Sequence, residues 1–320
     1  MTLLTLFTAV KPFTDPEIAR LQRNALRTWK ALGSEVEVVI IGEEDGAREA
    51  ARQERVRLLP DVERTASGTP TIRSLFDRAR AASESPFLGY VNADILLLDD
   101  FLPAVRQVSA SLPIFVLVSQ RWDLRLDGNL ELASGWIGRL RGRIAAEARR
   151  HPPAGSDVFV FPRPCDIEVP PFAVGRAGWD NWMIYEARRR RWPVVDASRA
   201  ITLIHQDHDY RHLPGGRSHH RHPETEENVR LAGGRHVILT LADADWTFDG
   251  AMVRPKARSE RSLLREAELV PLLRLRSPSL AAAAQAFFHP MRTARAMLGW
   301  LDWKARRLRS GPGPDEGRTR

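Results

Sequence analysis

The sequence is poor in cysteine: Cys165 is the only one among 320 residues. A single thiol excludes an intramolecular disulfide framework and a zinc site built from several cysteines. One free cysteine is typical of proteins that work in a reducing compartment, so we expect a cytoplasmic location.

Long hydrophobic runs are also missing. The apolar N-terminal stretch, residues 3–10, is much shorter than the roughly 20 residues that a membrane-spanning helix needs. It has no basic segment before it and no small-residue cleavage site after it, so it does not match a signal peptide. We interpret this stretch as a buried strand, and we expect no bilayer-spanning segment elsewhere.

A net positive charge is absent from the main part of the chain. The protein has 48 Lys and Arg and 40 Asp and Glu, and residues 251–320 hold 15 and 6 of these, a net charge of +9. Residues 1–250 therefore carry a net charge of −1. A nucleic-acid-binding protein needs its positive charge on its working surface, so this distribution argues against nucleic acid and favours an anionic lipid partner for the C-terminal segment.

Three common motifs are absent as well. The sequence has no Gly-x-Gly-x-x-Gly after its first predicted strand, no Gly-x-x-x-x-Gly-Lys and no Gly-x-Ser-x-Gly. These absences argue against a dinucleotide-dependent dehydrogenase, a P-loop enzyme and a hydrolase with a nucleophile elbow.

What is present is an alternation of apolar strands and amphipathic helices. This alternation predicts an α/β fold with a mainly parallel central sheet and helices on both faces. Ligands bind beyond the carboxyl ends of such strands, which singles out residues 8–11, 42–45 and 92–94. The predicted strands are residues 3–10, 36–41, 87–91, 114–119, 158–161 and 200–204, and the predicted helices include 15–32, 71–82 and 179–190.

Two polar side chains follow the predicted strand 87–91. Asn92 and Asp94 lie two residues apart, so both point to the same side of an extended chain. A carboxylate at this position can bind a hard divalent cation that takes its other ligands from substrate phosphates. Such an ion would neutralise the charge that develops on a departing nucleotide diphosphate. The alternative is that both side chains only cap the following turn.

A second acidic residue, Asp180, lies in the sequence Gly178-Trp179-Asp180-Asn181-Trp182, near the start of a predicted helix. One interpretation is a general base that takes the proton of an acceptor hydroxyl, and the other is a helix-capping residue. Trp179 and Trp182 lie one helical turn apart and offer a face on which a sugar could stack, although aromatic residues at this spacing are more often part of the core.

Histidines are concentrated after the predicted strand 200–204. His205 and His208 would complete a metal shell or contact phosphates, and the glycines at 215 and 216 would bring backbone N–H groups to an anion. A zinc hydrolase is a minor alternative, because the spacing of His219 and His222 is not the helical i,i+4 pair and no thiolate is available.

The order of these segments resembles that of glycosyltransferases of the GT-A fold, the nucleotide-diphospho-sugar transferases. The similarity covers about residues 2–250 and follows motif order rather than an alignment. The matching segments are Leu6-Phe7-Thr8-Ala9, the DxD-like Asn92-Ala93-Asp94, Gly178-Trp179-Asp180-Asn181, and His205 or His208. The stretch from Gly155-Ser156-Asp157 through Gly178-Trp179-Asp180-Asn181-Trp182 to Tyr210 also resembles that of poorly characterised glycosyltransferase-like proteins.

The resemblance implies a set of residue roles. Asp180 would be the base of an inverting transfer, and Asp157 and Trp179 would border the acceptor. Asp94 would hold Mn²⁺ or Mg²⁺, with Asn92, His205 and His208 assisting. The donor, a nucleotide-diphosphate sugar, would contact Thr8, Ala9, Gly42, Ser74, Asn92 and Asp94, and the acceptor would be a hydroxyl of a glycan or of a lipid-linked molecule.

Two departures from the family pattern leave questions open. Asn92 replaces the first carboxylate of DxD, which weakens the expectation of tight metal binding, and Asp180-Asn181 stands where many relatives have two acids. Inverting and retaining chemistry therefore both stay open. A sugar-nucleotide nucleotidyltransferase is an alternative, although residues 8–12 lack the glycines of its first loop, and a non-catalytic carbohydrate- or lipid-binding module is another.

The C-terminal part is predicted to be a basic helical extension, residues 251–310, followed by a disordered tail, residues 311–320. Its apolar residues recur at helical spacing beside many basic residues, a composition typical of helices that lie on an anionic membrane. Packing of this stripe on the main domain or on another subunit is the alternative. The residues concerned are Phe287, Met291, Ala294, Leu298 and Leu301, with Trp300 and Trp303, and the cations Arg292, Arg295, Lys304, Arg306, Arg307 and Arg309.

Overall fold

A computed structural model describes residues 1–207, 222–291 and 294. The chain divides into two compact units, Met1–Ala257 and Arg258–Arg320. The first unit thus extends beyond residue 250 and includes a terminal β-hairpin, Trp246–Phe248 and Val253–Pro255. His208, several basic and apolar residues of the proposed membrane stripe, and the tail 311–320 lie outside the described residues, so the expectations for them stay predictions.

The first unit is built on a nine-stranded sheet. In spatial order the strands are β13-β12-β10-β6-β9-β4-β1-β2-β3. In chain order they are β1 (Leu4–Thr8), β2 (Val36–Ile41), β3 (Arg57–Leu59), β4 (Phe87–Val91), β6 (Val116–Val118), β9 (Val158–Pro162), β10 (Val194–Asp196), β12 (Trp246–Phe248) and β13 (Val253–Pro255).

Most neighbouring strands of this sheet are parallel, as predicted. Strand β9 runs antiparallel between β4 and β6, and β13 runs antiparallel to β12. The other pairs are parallel, so the carboxyl ends of β1, β4, β6, β10 and β12 share one edge. The predicted ligand-binding edge therefore exists.

Helices cover both faces of the sheet because successive strand residues point to opposite sides. On one face, Leu4 and Leu6 of β1 belong to the core that contains the buried Trp29. On the other face, Phe7 packs edge-on against Phe76 at 5.2 Å. In chain order the helices of this unit are α1 (Pro16–Lys30), α2 (Ala47–Glu54), α3 (Ile72–Ala82), α4 (Phe101–Ser111), α5 (Trp136–Glu147), α6 (Trp179–Arg189) and α7 (Pro223–Leu231).

Local sequence signals explain where the first helices begin. The carboxylate of Asp15 accepts the N–H groups of Glu17 and Ile18, which caps α1. The hydroxyl of Thr71 accepts the N–H of Ser74 and caps α3 in the same way. Both helices therefore start where the sequence predicts them.

A second, four-stranded sheet was not predicted. Its spatial order is β5-β11-β7-β8, with β5 (Ile95–Leu97), β7 (Arg121–Leu124), β8 (Arg149–Arg150) and β11 (Leu203–Gln206). The strand predicted at residues 200–204 is thus shifted towards the C-terminus and lies outside the main sheet. The shift arises because Leu203, Ile204 and His205 pair with both β5 and β7.

The second unit contains a pair of helices, α8 (Glu260–Leu273) and α9 (Pro278–Phe288). The hydroxyl of Ser259 accepts the N–H of Ser262 at the start of α8, and Ser277 caps α9. Within the described part of the chain, no helix is long and apolar enough to span a bilayer.

Candidate active site

Asn92 lies in the turn between β4 and β5, and its side chain is used inside the protein. Its amide oxygen accepts a 2.9 Å hydrogen bond from the hydroxyl of Tyr90. Its amide nitrogen donates to Asp157 Oδ1 at 2.8 Å, and its backbone N–H donates to the carbonyl of Asp157 at 3.0 Å. Asn92 therefore ties the end of β4 to the loop before β9, and its predicted contacts with donor and metal stay predictions.

Asp157 is buried and neutralised by Arg121. Arg121 Nη1 donates to both carboxylate oxygens, at 2.8 and 2.9 Å. A buried carboxylate needs such a partner, because desolvation of an isolated charge is costly. Asp157 is only 5% exposed, and it links Asn92 to Arg121 by hydrogen bonds. Its contact with an acceptor stays a prediction.

Asp180 lies at the second position of α6 and binds two backbone N–H groups. Its Oδ1 accepts the N–H of Gly178 at 3.3 Å, and its Oδ2 accepts the N–H of Ser156 at 3.4 Å. Burial raises the pKa of Asp180 to about 6, although these hydrogen bonds favour the ionised form. The carboxylate thus stabilises the start of α6 through these hydrogen bonds. Its raised pKa lies near neutral pH, where a general base works best.

These bonds bring the two predicted acidic motifs to one place. The hydroxyl of Tyr90 is buried, and burial together with the negative charges of Asp94, Asp157 and Asp180 raises its pKa. The ring of Tyr90 packs edge-on against Trp179, with 4.7 Å between the ring centroids. Tyr90, which no sequence pattern indicated, therefore contacts both motifs, through Asn92 and through Trp179.

His205 lies inside β11 rather than beyond a strand end, yet it reaches the same region. Its Nε2 is 3.7 Å from Asp94 Oδ2, and its Nδ1 is 3.2 Å from Asp123 Oδ1. Burial opposes protonation of His205, but the hydrogen bonds with Asp123 and Asp94 outweigh it and raise the pKa to about 9. His151 contacts the other oxygen of Asp123 at 2.8 Å. Sequence periodicity gave no signal for Asp123 or His151, because β7 and β8 become neighbours only in the folded chain.

Lys11 lies near both Asp94 and a second cation, Arg176. The charges of Asp94 and Arg176 both act on the ammonium group of Lys11. Lys11 is exposed just beyond β1, and its backbone is fixed by two hydrogen bonds with the side chain of Gln22, of 2.6 and 3.0 Å. Arg176 is held by Glu224, whose Oε2 accepts from Arg176 Nε at 3.0 Å. The predicted ligand edge therefore has positive as well as negative groups.

A divalent metal does not fit the described side chains alone. Among residues 1–207, 222–291 and 294, no group of three His, Cys, Asp or Glu side chains is placed to hold an ion. Asp94 and His205 are close enough to share one, but the amide of Asn92 is engaged with Tyr90 and Asp157. Metal binding therefore stays a prediction.

The residues predicted to frame the nucleotide lie at the same sheet edge, with small or buried side chains. The hydroxyl of Thr8 donates to the carbonyl of Ala9 at 3.1 Å, and both residues are buried. Gly42 follows β2 with φ +103°, a conformation that favours glycine. Ser74 is buried, and its hydroxyl accepts the N–H of Glu63 at 2.9 Å. Their roles towards a donor remain predictions.

The proposed stacking face of Trp179 and Trp182 is wrong. Trp179 is 4% exposed and Trp182 is 7% exposed. Trp182 packs against Phe172 at 5.4 Å, so both indoles belong to the core beneath α6. The ring faces on which a sugar would stack are buried against other apolar side chains.

Comparisons with known proteins show distant similarity to sugar-nucleotide-binding structures. No protein-family model matches the chain, and no curated protein matches it. Glucosyl-3-phosphoglycerate synthase of M. tuberculosis is 14% identical over 73% of this chain and 81% of that chain, with a TM-score of 0.46. It has also been solved with Mg²⁺ and UDP.

TarS of S. aureus is 15% identical over 72% of this chain, with a TM-score of 0.44, and it has been solved with UDP-GlcNAc. The chain spans 39% of the length of TarS and 39% of its fragment 1–349, for which the TM-score is 0.32. At these identities and TM-scores, function has to be argued from the site itself.

Proposed function

We propose that this protein is a glycosyltransferase that moves a sugar from a nucleotide-diphosphate donor to a hydroxyl of a glycan or lipid-linked acceptor. The observation that carries the proposal is that the motifs of Asp94 and Asp180 meet at Tyr90, whose hydroxyl bonds Asn92 and whose ring packs against Trp179. The two acids come from motifs far apart in the sequence, and the loop Ser156–Asp157 connects them through its bonds with Asp180 and Asn92. Convergence of motifs from separate parts of the chain is what a two-substrate site requires.

The proposed chemistry assigns one role to each group. The acceptor oxygen attacks the anomeric carbon of the sugar while the bond from that carbon to the diphosphate oxygen breaks. The nucleoside diphosphate leaves with the bonding electron pair, and Asp180 takes the proton of the acceptor hydroxyl. A pKa of about 6 leaves Asp180 mostly ionised at neutral pH, as a base must be.

The leaving diphosphate needs positive charge. Lys11, whose ammonium group feels the charge of Asp94, and Arg176, whose charge acts on Lys11, would supply it. If a divalent ion binds with the donor, Asp94 and His205 are the described side chains that would hold it, and phosphate oxygens would complete its shell.

Thermal-shift measurements with nucleoside diphosphates test the donor site. UDP or GDP should raise the melting temperature, with and without Mn²⁺, because a ligand that binds only the folded state stabilises it. The same nucleotide should then support turnover of its sugar conjugate. Absence of any shift with both nucleotides, at millimolar concentration and with Mn²⁺, would overturn the proposal.

Sugar-nucleotide turnover also separates the alternatives. A nucleotidyltransferase would release pyrophosphate from a nucleoside triphosphate and a sugar phosphate, whereas a glycosyltransferase would release a nucleoside diphosphate. A non-catalytic carbohydrate- or lipid-binding module would release neither product. The short loop of residues 9–12, which has no glycine, favours the glycosyltransferase.

We further propose that the second unit attaches the enzyme to an anionic membrane surface. Large apolar side chains are exposed on its helices, with Phe287 80% and Met291 77% exposed. Basic residues are frequent in the same unit, and each contributes on the order of 1 kcal/mol near an anionic surface. The other exposed apolar residues are Leu263, Leu264, Val270, Leu275 and Leu280.

Vesicle flotation tests this attachment. The full chain should float with vesicles that contain anionic lipid at low salt, and less so at high salt. A Leu264→Gln/Phe287→Gln variant should float less, while the matched surface change Arg52→Gln in α2 should not. Equal flotation of both variants, or none for the full chain, would instead support packing of these helices on protein.

A further inference from the structure

A cavity with four charged residues in its lining lies at the carboxyl ends of β10 and β12, on the sheet edge that also carries Asp94. Its volume is about 530 Å³, within the range typical of small-molecule sites. Arg199, Thr247, Arg254 and Lys256 line it together with Asp196. None of these residues has a role in the chemistry proposed above.

Positive charge dominates the lining. Lys256 Nζ is 3.7 Å from Asp196 Oδ2, and Arg254 pairs at 2.9 Å with Asp249. Arg199 is exposed and, among the described residues, makes no ion pair or side-chain hydrogen bond. Arg199 is thus the lining cation that has no acidic partner in the described part of the chain, whereas Lys256 and Arg254 each lie beside a carboxylate. Asp196 Oδ1 already accepts both the N–H and the O–H of Ser198.

The cavity wall is connected to the acidic network of the candidate active site. The hydroxyl of Ser198 accepts the N–H of Gln120 at 2.8 Å, and the carbonyl of Ser198 accepts from Arg150 at 2.8 Å. The side chain of Gln120 donates to the carbonyl of His151. Gln120 directly precedes Arg121, which binds Asp157, so the cavity is connected to the residue that the family resemblance places beside the acceptor.

We infer that this cavity binds a phosphate group carried by the acceptor substrate. The inference rests on the proposed transferase function. Arginine and lysine are the side chains that recognise phosphate, arginine by paired N–H donors and lysine as a compact charge. A recessed cavity with few cations suits one phosphorylated small group better than a nucleic acid, and the first 250 residues carry no net positive charge to bind the latter.

Hydrogen exchange measured by mass spectrometry tests the site with two probes, inorganic phosphate and glycerol 3-phosphate. Both should protect peptides that contain residues 196–200 and 247–257, relative to chloride at equal ionic strength. In Arg199→Gln/Lys256→Gln, the concentration for half-maximal protection should rise at least about tenfold, because two charge-assisted contacts are lost. Arg52→Gln, a surface arginine on α2, is the matched control and should leave it unchanged.

The two probes distinguish the sources of phosphate. An acceptor site should bind glycerol 3-phosphate more tightly than inorganic phosphate, because the site must also admit the hydroxyl-bearing part. Equal or weaker binding of glycerol 3-phosphate would identify a site for the free ion and overturn the acceptor assignment. Protection that is absent from these peptides, or equally weakened by Arg52→Gln, would overturn the site itself.

The donor site is checked in the same variants. The melting-temperature shift with UDP or GDP should be unchanged in Arg199→Gln/Lys256→Gln, because these residues lie outside the donor region. Protection by phosphate without any nucleotide shift in the wild type would leave the anion site standing while the transferase function fails. A melting-temperature shift with nucleotide but no protection by phosphate would support the donor site and overturn the anion site.

Discussion

The side-chain amide of Asn92 donates a 2.8 Å hydrogen bond to the carboxylate of Asp157. Asn92 occupies the first position of a DxD-like motif, where a second carboxylate would stand in the resembled family. In this protein that position faces a buried carboxylate already bound by Arg121. An amide that donates is therefore compatible with the neighbour, whereas a second carboxylate would repel it.

Replacement of Asn92 tests this relationship. Asn92→Ala should lower the free energy of unfolding by about 1–3 kcal/mol, because buried partners on Tyr90 and Asp157 lose their hydrogen bonds. Asn92→Asp should destabilise further, since it places two carboxylates side by side. Urea unfolding followed by circular dichroism measures both changes, and the exposed Asn129→Asp is the control. A fully stable Asn92→Asp would show that the site accepts a metal-binding pair of acids.

Removal of Arg121 should be among the most damaging single changes in the first unit. Arg121→Ala leaves the carboxylate of Asp157 buried without its cation, which costs about 3–5 kcal/mol. Arg52→Ala removes an exposed partner of Glu49 and should leave the free energy of unfolding nearly unchanged, because solvent screens exposed ion pairs. Chemical denaturation of both variants gives the comparison. Equal, small effects would mean that water replaces Arg121 at Asp157.

Changing Asp180 should separate binding from catalysis. Asp180→Asn keeps the size of the side chain and should retain the nucleotide-induced melting shift. Transfer should fall by about two to four orders of magnitude, the usual contribution of a general base. Asp127→Asn, at an exposed aspartate in the loop after β7, is the control. Wild-type transfer rates in Asp180→Asn would leave Asp180 as a brace for α6 only.

The pH dependence follows from the raised pKa of Asp180, about 6. Transfer measured as kcat/KM should rise as the pH passes 6 and then level off, because the base acts in its ionised form. Stability should change in the opposite sense. Between roughly pH 4 and 6 the folded protein holds a proton that the unfolded chain has released, so the stability contributed by this group falls as the pH rises. Asp180→Asn should remove both effects, and a pH–rate profile that keeps its step would contradict the assignment.

Asp94 tests the donor contact and the metal together. Asp94→Ala should abolish transfer and the Mn²⁺-dependent part of the nucleotide shift, while its circular dichroism spectrum stays that of the wild type. Addition of EDTA to the wild type should have the same effect if an ion is needed. Transfer that survives both the substitution and the chelator would leave charge neutralisation to Lys11 and Arg176.

The sequence by itself determined the positions of those strands and helices whose apolar residues recur at a regular period. Strand β2 begins and ends where its β-branched run does, and α1 and α3 begin at the capping residues Asp15 and Thr71. The carboxyl-edge location of residues 92–94 followed from the short apolar run before them, because such a run is typical of a buried strand. Local chemistry is sufficient for such features, since strand and helix periods and caps act within a few residues.

Only the tertiary structure determined which side chains the candidate site residues contact. Whether Asn92 binds an ion or an aspartate depends on Asp157, and the charge of Asp157 depends on Arg121 in a strand that the sequence did not predict. His205 lies within β11 because two other strands pair with it, and Trp179 is buried because the core beneath α6 takes it. These outcomes depend on contacts between residues that are far apart in the chain. Such contacts form only when the sheets assemble, so a local sequence pattern cannot predict them.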